Sequence, residues 1–187
     1  MKGYHSLADL YIGTAAIERN DVMFLHVRIC SMESNQKEHH YLATEGRYNM
    51  TGVYMILAEL GEAKEIQVGK RQRFAFEKGF YGYVGSALVG LERRVVRHLG
   101  TRKKFHWHID YLLNSATVQT VICAETSQGK ECLIAQALSQ RLPTILGFGC
   151  SDCDCPSHLF FCQDLEALKG RALDAFKHVN LSPFVIA

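Results

Sequence analysis

The sequence predicts one α/β domain of the α+β kind, in which short strands and helices alternate around a single core. Three observations carry this. Residues 53–58 form a nearly unbroken apolar run of strand length, residues 80–85 mix aromatic strand formers with glycine, and two later segments repeat apolar residues at helical spacing. With 187 residues, 48% of them hydrophobic, the chain suffices for one well-buried core and is short for two.

Taken in order, residues 1–49 read differently from the rest, with a polar stretch at 31–40 and internal methionines at Met32 and Met50. They are either an N-terminal extension of unknown role or residues upstream of a start at Met50. Regularity begins at Gly52. Residues 53–58 suit a central strand covered on both faces, and residues 64–68 and 73–76 suit shorter, more exposed strands. Residues 80–85 form a strand whose glycines let something approach the backbone closely, with Tyr81 and Tyr83 on one face. Leu91, Val95 and Leu99 then recur at helical spacing, Arg94, Arg97 and His98 fall on another side of that helix, and Gly100 stops it. Residues 118–124 are another apolar strand. Thr126 and Ser127 are candidate caps for a helix over 129–141, which Pro143 ends, and Gln163-Asp164 opens a last helix with Leu165, Leu168, Ala172 and Phe176 on one face.

The net charge of +2 is too small to attract nucleic acid by itself, so any such attraction must come from a local patch. No apolar run approaches the roughly 20 residues of a membrane span, and the first ten residues lack a secretory pattern. A cytoplasmic protein with no membrane association is expected. Seven cysteines without an export signal read as thiols or metal ligands rather than a disulfide framework.

Four features share an order along the chain: Gly52-Val53-Tyr54, Tyr83-Val84-Gly85, Arg94 and Glu131. Together they resemble the GIY-YIG nuclease superfamily over residues 52–140. More closely, residues 83–87, Arg97-His98, the His-Trp-His-Ile-Asp-Tyr-Leu run at 106–112 and Ser-Asp-Cys-Asp-Cys at 151–155 resemble an uncharacterised, mostly archaeal branch of it, out to about Cys162. The resemblance implies a small, mainly antiparallel sheet flanked by helices, with the two motifs on adjacent strands, an arginine on the first helix and a metal-binding glutamate on a later one. It divides the chain into the extension at 1–49, a nuclease-like domain at 50–162 and a C-terminal helix and tail at 163–187. Some members of that branch are fused to base-excision repair glycosylases, which implies DNA repair and a repair-protein partner. The separation of Tyr54 from Tyr83 exceeds that of the compact nucleases, and no counterpart of their late asparagine is found.

The residue types suit the chemistry on their own terms. Phosphodiester hydrolysis needs a water in line with the leaving oxygen, positive charge on the phosphate and stabilisation of the departing oxyanion. Glu131 is the candidate ligand for Mg²⁺ or Mn²⁺, and Arg94 offers a planar fork matched to phosphate oxygens. Tyr54 and Tyr83 can position the attacking water, and the resemblance makes Tyr54 the first candidate for general base. The plainer reading makes the tyrosines core aromatics and Arg94 a surface charge.

Arg93, Arg94, Arg97, Arg102, Lys103 and Lys104 lie within twelve positions with no acid among them, and Phe105 and Trp107 follow. Arg97, His98, Arg102, Lys103, Lys104, His106 and His108 are the candidate contacts to nucleic acid, with DNA the expected substrate. Trp107 is expected in the core. His106, His108 and Asp110 alternate, so they either bind metal or phosphate, or make an ordinary buried histidine–aspartate pair. Cys150, Cys153, Cys155 and His158 crowd soft ligands into nine residues, and Cys153, Cys155 and His158 match the branch pattern. They are candidates for structural Zn²⁺ or for reduced thiols, since such tight spacing strains a single tetrahedron unless His106 or His108 contributes. Two rivals stand beside the nuclease: a nucleic-acid-binding module without turnover, and a zinc-stabilised interaction protein.

Overall fold

The computed structural model describes residues 24–26, 40–42, 50–100 and 104–186; Arg102, Lys103 and most of the first 49 residues lie outside them. Two units are distinguished, residues 1–47 with 186–187 and residues 48–185. In the first, β1 (Phe24–His26) and β2 (His40–Leu42) pair antiparallel. The second unit carries β3 (Gly52–Leu60), β4 (Lys64–Val68), β5 (Gln72–Phe76), β6 (Gly79–Ala87), α1 (Leu91–Leu99), α2 (His108–Leu113), β7 (Thr117–Glu125), α3 (Glu131–Ser139), β8 (Leu159–Cys162), α4 (Leu165–His178) and the start of β9 (Phe184–Ile186).

The main sheet runs β8-β6-β3-β7-β9, while β4 and β5 form a separate antiparallel pair. β3 lies antiparallel to both β6 and β7, and β6 is antiparallel to β8. This is the α+β arrangement of a mainly antiparallel sheet with flanking helices that the sequence implied. β3 occupies the centre because its residues are apolar on both sides of the pleat, which only a strand covered twice can satisfy.

Alternation sorts those side chains into two layers. Val53, Met55 and Leu57 join Val84, Ile122 and Ala124 against Ile134, Ala135 and Leu138 of α3 and Leu168, Ala172 and Phe176 of α4. Burying each such large apolar side chain contributes roughly 1.5–3 kcal/mol. The opposite face carries Tyr54 and Tyr83, and there Phe76 packs edge-on against Tyr81 at 5.4 Å while Phe148 packs edge-on against Tyr83 at 6.2 Å.

Several ends differ from the sequence reading. Thr126 does not cap α3: its hydroxyl accepts the Gln128 N–H and tightens a turn, and the helix starts at Glu131, after Lys130. His108–Leu113, open to two readings in the sequence, is helical because the Asp110 carboxylate accepts the Trp107 N–H at its start. β8 exists because the glycine-rich loop folds back on itself, with Ile145 N–H donating to Leu159 O and Phe161 N–H to Pro143 O. No helix among the described residues is long and apolar enough to cross a membrane.

Candidate active site

Tyr54 on β3 faces Gly85 on β6 across the ladder. A Cβ at Gly85 would sit 2.6 Å from the Tyr54 oxygen, so the glycine is what lets the phenol lie flat over the neighbouring strand. Gly149 does the same for the second tyrosine: it has φ +73°, and a Cβ there would meet the Tyr83 ring at 2.7 Å. Two tyrosines on one sheet face thus each have a glycine against them, Gly85 from β6 and Gly149 from the loop.

From Tyr54 a chain of buried polar groups runs inward. The Tyr54 hydroxyl lies 2.9 Å from His98 Nε2, and His98 Nδ1 lies 3.3 Å from Asp110 Oδ1. The carboxylate can only accept, so Nδ1 carries the imidazole proton and Nε2 accepts the proton of the tyrosine. Asp110 also takes both arms of the Arg97 fork, at 3.0 and 2.8 Å, and the backbone N–H groups of His106 and Trp107. Burial alone would raise its pKa; the Arg97 fork and those two amides overrule burial and hold the carboxyl well below the usual range. Burial, with Tyr83 close by, pushes the Tyr54 hydroxyl well above the ordinary phenol value, and the charge of Arg94 offsets only part of that.

Tyr54, Tyr83, Arg94 and Glu131 line one cleft of about 510 Å³, together with Ser86, Trp107, His108, Asp152 and His158. The Arg94 guanidinium lies 4.4 Å above the centre of the Trp107 ring, a stacked geometry that steers the fork while leaving its N–H edges available. Oε2 of Glu131 is buried without a hydrogen-bond partner among the described residues. A lone carboxylate oxygen in that state costs free energy unless a cation or a proton joins it, so the donor suits a hard divalent ion completed by water. A second hollow of about 390 Å³, lined by Gly90, Arg93, Arg94, Arg97 and Trp107, adjoins the first. With Arg94 and Trp107 common to both, the cations of α1 lead toward the cleft.

A family model described as a domain of unknown function, DUF123, matches residues 53–181. The chain belongs to that family. No curated protein and no solved structure matches it. In this DUF123 member the matched span runs from the first tyrosine strand through α4, so it holds the whole cleft.

The remaining candidates divide. Lys104 and His106 are exposed, and His106 also lines the cleft. His108 stands in the cleft wall, where Gly149 N–H donates to its Nδ1 at 2.9 Å and burial lowers its affinity for a proton. Arg97 and His98 turn inward: Arg97 is committed to Asp110 and to Lys104 O, and His98, only 2% exposed, faces Tyr54 rather than solvent. Asp110 therefore finds its histidine on α1, neither at His106 nor at His108. Trp107 is half-buried at the cleft and not a core residue.

The thiols also regroup. Cys132, Cys153, Cys155 and His158 bring their ligand atoms within 4.8 Å of one another and could hold a metal ion. Cys150 is outside that group, its thiol turned to Pro156 O at 3.7 Å. Sequence reasoning missed Cys132, which carries no motif spacing to the others, and missed Asp152 as a second carboxylate in the cleft despite its place beside Cys153.

Proposed function

We propose that this protein is a metal-dependent endonuclease of the GIY-YIG kind, hydrolysing phosphodiester bonds of DNA in a structure-specific or repair role. The observation that carries the reading is the convergence of Tyr54, Tyr83, Arg94 and Glu131 on one cleft from four separate elements. A structural explanation needs each of these side chains to be satisfied where it stands, and the partnerless oxygen of Glu131 is not.

Glu131 would hold Mg²⁺ or Mn²⁺, with Asp152 within the same cleft. Such a cation, when bound, supplies Lewis-acid stabilisation of the negative charge gathering on the leaving oxygen. Arg94 grips the non-bridging oxygens of the scissile phosphate with two parallel N–H donors, its angle set by the Trp107 face. Tyr54 orients the attacking water. As the water attacks phosphorus, its proton passes to the Tyr54 oxygen while the Tyr54 proton passes to His98 Nε2, and Asp110 balances the imidazolium that forms. This relay replaces the simpler idea of a phenolate base, because burial raises the Tyr54 hydroxyl instead of acidifying it. Tyr83, raised by burial and by Asp152, stays a neutral phenol and serves as a hydrogen-bond donor. Arg93 and Lys104 are the exposed cations placed to neutralise flanking phosphates. A softer ion, zinc, would be held at the thiols and His158 rather than by Glu131.

The test is cleavage of end-labelled nicked, flapped and branched DNA by the purified chain with Mg²⁺ or Mn²⁺, against the same reactions in chelator. Metal-dependent nicking at defined positions supports the reading. Tight binding to those substrates without cutting under any divalent ion would favour the binding module, which shares Arg93 and Arg94 but has no use for the orphaned Glu131 oxygen.

A further inference from the structure

We infer that Cys132, Cys153, Cys155 and His158 form a closed tetrahedral zinc site that pins the first turn of α3, and with it Glu131, to the loop walling the cleft. The site stands on its own geometry; only its consequence for Glu131 rests on the nuclease reading.

The distances fit one ion. Bonds of about 2.3 Å to sulfur and about 2.0 Å to nitrogen, opened at the tetrahedral angle, put sulfur and nitrogen about 3.5 Å apart. His158 Nε2 lies 3.5 Å from Cys153 Sγ and 3.8 Å from Cys132 Sγ. All four ligand atoms fall within 4.8 Å of one another. The strain that a run of ligands at 150–158 would impose is absent, because Cys150 drops out and the fourth ligand arrives from a different element.

His158 is set for the task by its backbone. Its N–H donates to Phe148 O and its carbonyl accepts from Val84 N–H, so β6 on one side and the loop on the other hold the imidazole in place. The donor set is three thiols and an imidazole with no carboxylate, which selects zinc over the hard cation suited to Glu131. Four protein ligands leave no open coordination position, so the role is structural.

Cys132 follows Glu131 directly, and the loop that supplies Cys153, Cys155 and His158 also supplies Gly149, Ser151 and Asp152 to the cleft. One ion therefore ties the carboxylate end of the cleft to its wall. This gives the cysteine cluster a positioning role in the same machinery.

Metal analysis of the full chain, purified under reductant from zinc-supplemented cells, should find about one zinc per chain. Exchange into Co²⁺ should give the intense visible bands of tetrahedral cobalt with a thiolate charge-transfer band. Cys132→Ser should weaken zinc retention by at least about tenfold, while Cys150→Ser leaves it unchanged. Zinc stripping should speed amide exchange at residues 130–134 and 150–158 and leave β3 unaffected. Substoichiometric zinc, an octahedral cobalt spectrum, or loss of zinc on Cys150→Ser instead would overturn the assignment, and the cobalt spectrum of the unaltered chain decides even if Cys132→Ser fails to fold. None of these readouts uses nucleic acid: stoichiometric zinc in protein that cuts nothing sinks the nuclease reading alone, and substoichiometric zinc in protein that cuts sinks this one alone.

Discussion

The Tyr54 hydroxyl and His98 Nε2 are 2.9 Å apart and both side chains are buried, although 44 positions separate them in the chain. The pair joins the first strand of the sheet to the first helix of the cleft and sends a proton path inward to Asp110. If the two act as one unit, Tyr54→Phe and His98→Gln should each lower the single-turnover cleavage rate by about 10²- to 10⁴-fold. The double variant should be little worse than the poorer single one, because groups that move one proton are not additive. Independent, multiplying losses would show that His98 only supports the fold.

Arg94 is assigned a fork and not merely a charge. Arg94→Lys keeps the charge but loses the planar pair of donors and the stack on Trp107. It should cut the rate constant by about 10²- to 10³-fold with a much smaller change in substrate affinity, read from rate-against-concentration curves. Near-full activity in the lysine variant would reduce Arg94 to a general phosphate attractor.

Asp110 links the relay to stability. Its carboxyl is held below the usual range by Arg97 and two amides that outweigh burial, so it stabilises the fold above the unfolded value of about 3.9 and that contribution fades as pH falls below it. Asp110→Asn should cost about 1–3 kcal/mol at pH 7, since it removes the charge that accepts the Arg97 fork. Denaturant unfolding at neutral and acid pH checks this. The gap between the two proteins should narrow on acidification, and a gap that widens would contradict the direction of the shift.

Gly85 offers a test that leaves every proposed functional side chain chemically unaltered. Gly85→Ala puts a Cβ 2.6 Å from the Tyr54 oxygen and must push the phenol off His98. The overpacking should cost about 1–3 kcal/mol, visible in thermal unfolding. The folded variant should nonetheless cleave as poorly as Tyr54→Phe. Cleavage at the unaltered rate would mean that the Tyr54–His98 contact is dispensable.

Strands and helices with strong periodicity are legible in the sequence. The run around Met55 had to be a central strand, and Leu91, Val95 and Gly100 marked α1 to within a residue. What escaped depends on contacts between distant segments. β8 is defined by pairing to β6 and by the loop folding back at Pro143, which no local pattern encodes. Helical spacing placed His98 beside Arg94 and Arg97 as a contact to nucleic acid, but its burial between Tyr54 and Asp110 depends on a carboxylate twelve residues on, which the spacing does not show. Cys132 was hidden for the same reason: its partners lie some twenty residues away, and only the packing of α3 against the loop brings them together.

The central claim rests on the carboxylate of Glu131. The most direct measurement compares the chain with Glu131→Ala on one labelled branched DNA in Mg²⁺ or Mn²⁺, scoring cleavage and binding in parallel. Cleavage that depends on the divalent ion in the unaltered protein, and a loss of at least about 10²-fold in the variant with binding retained, is the expected result. Equal cleavage by both proteins, or none by either across the divalent ions, would contradict the account.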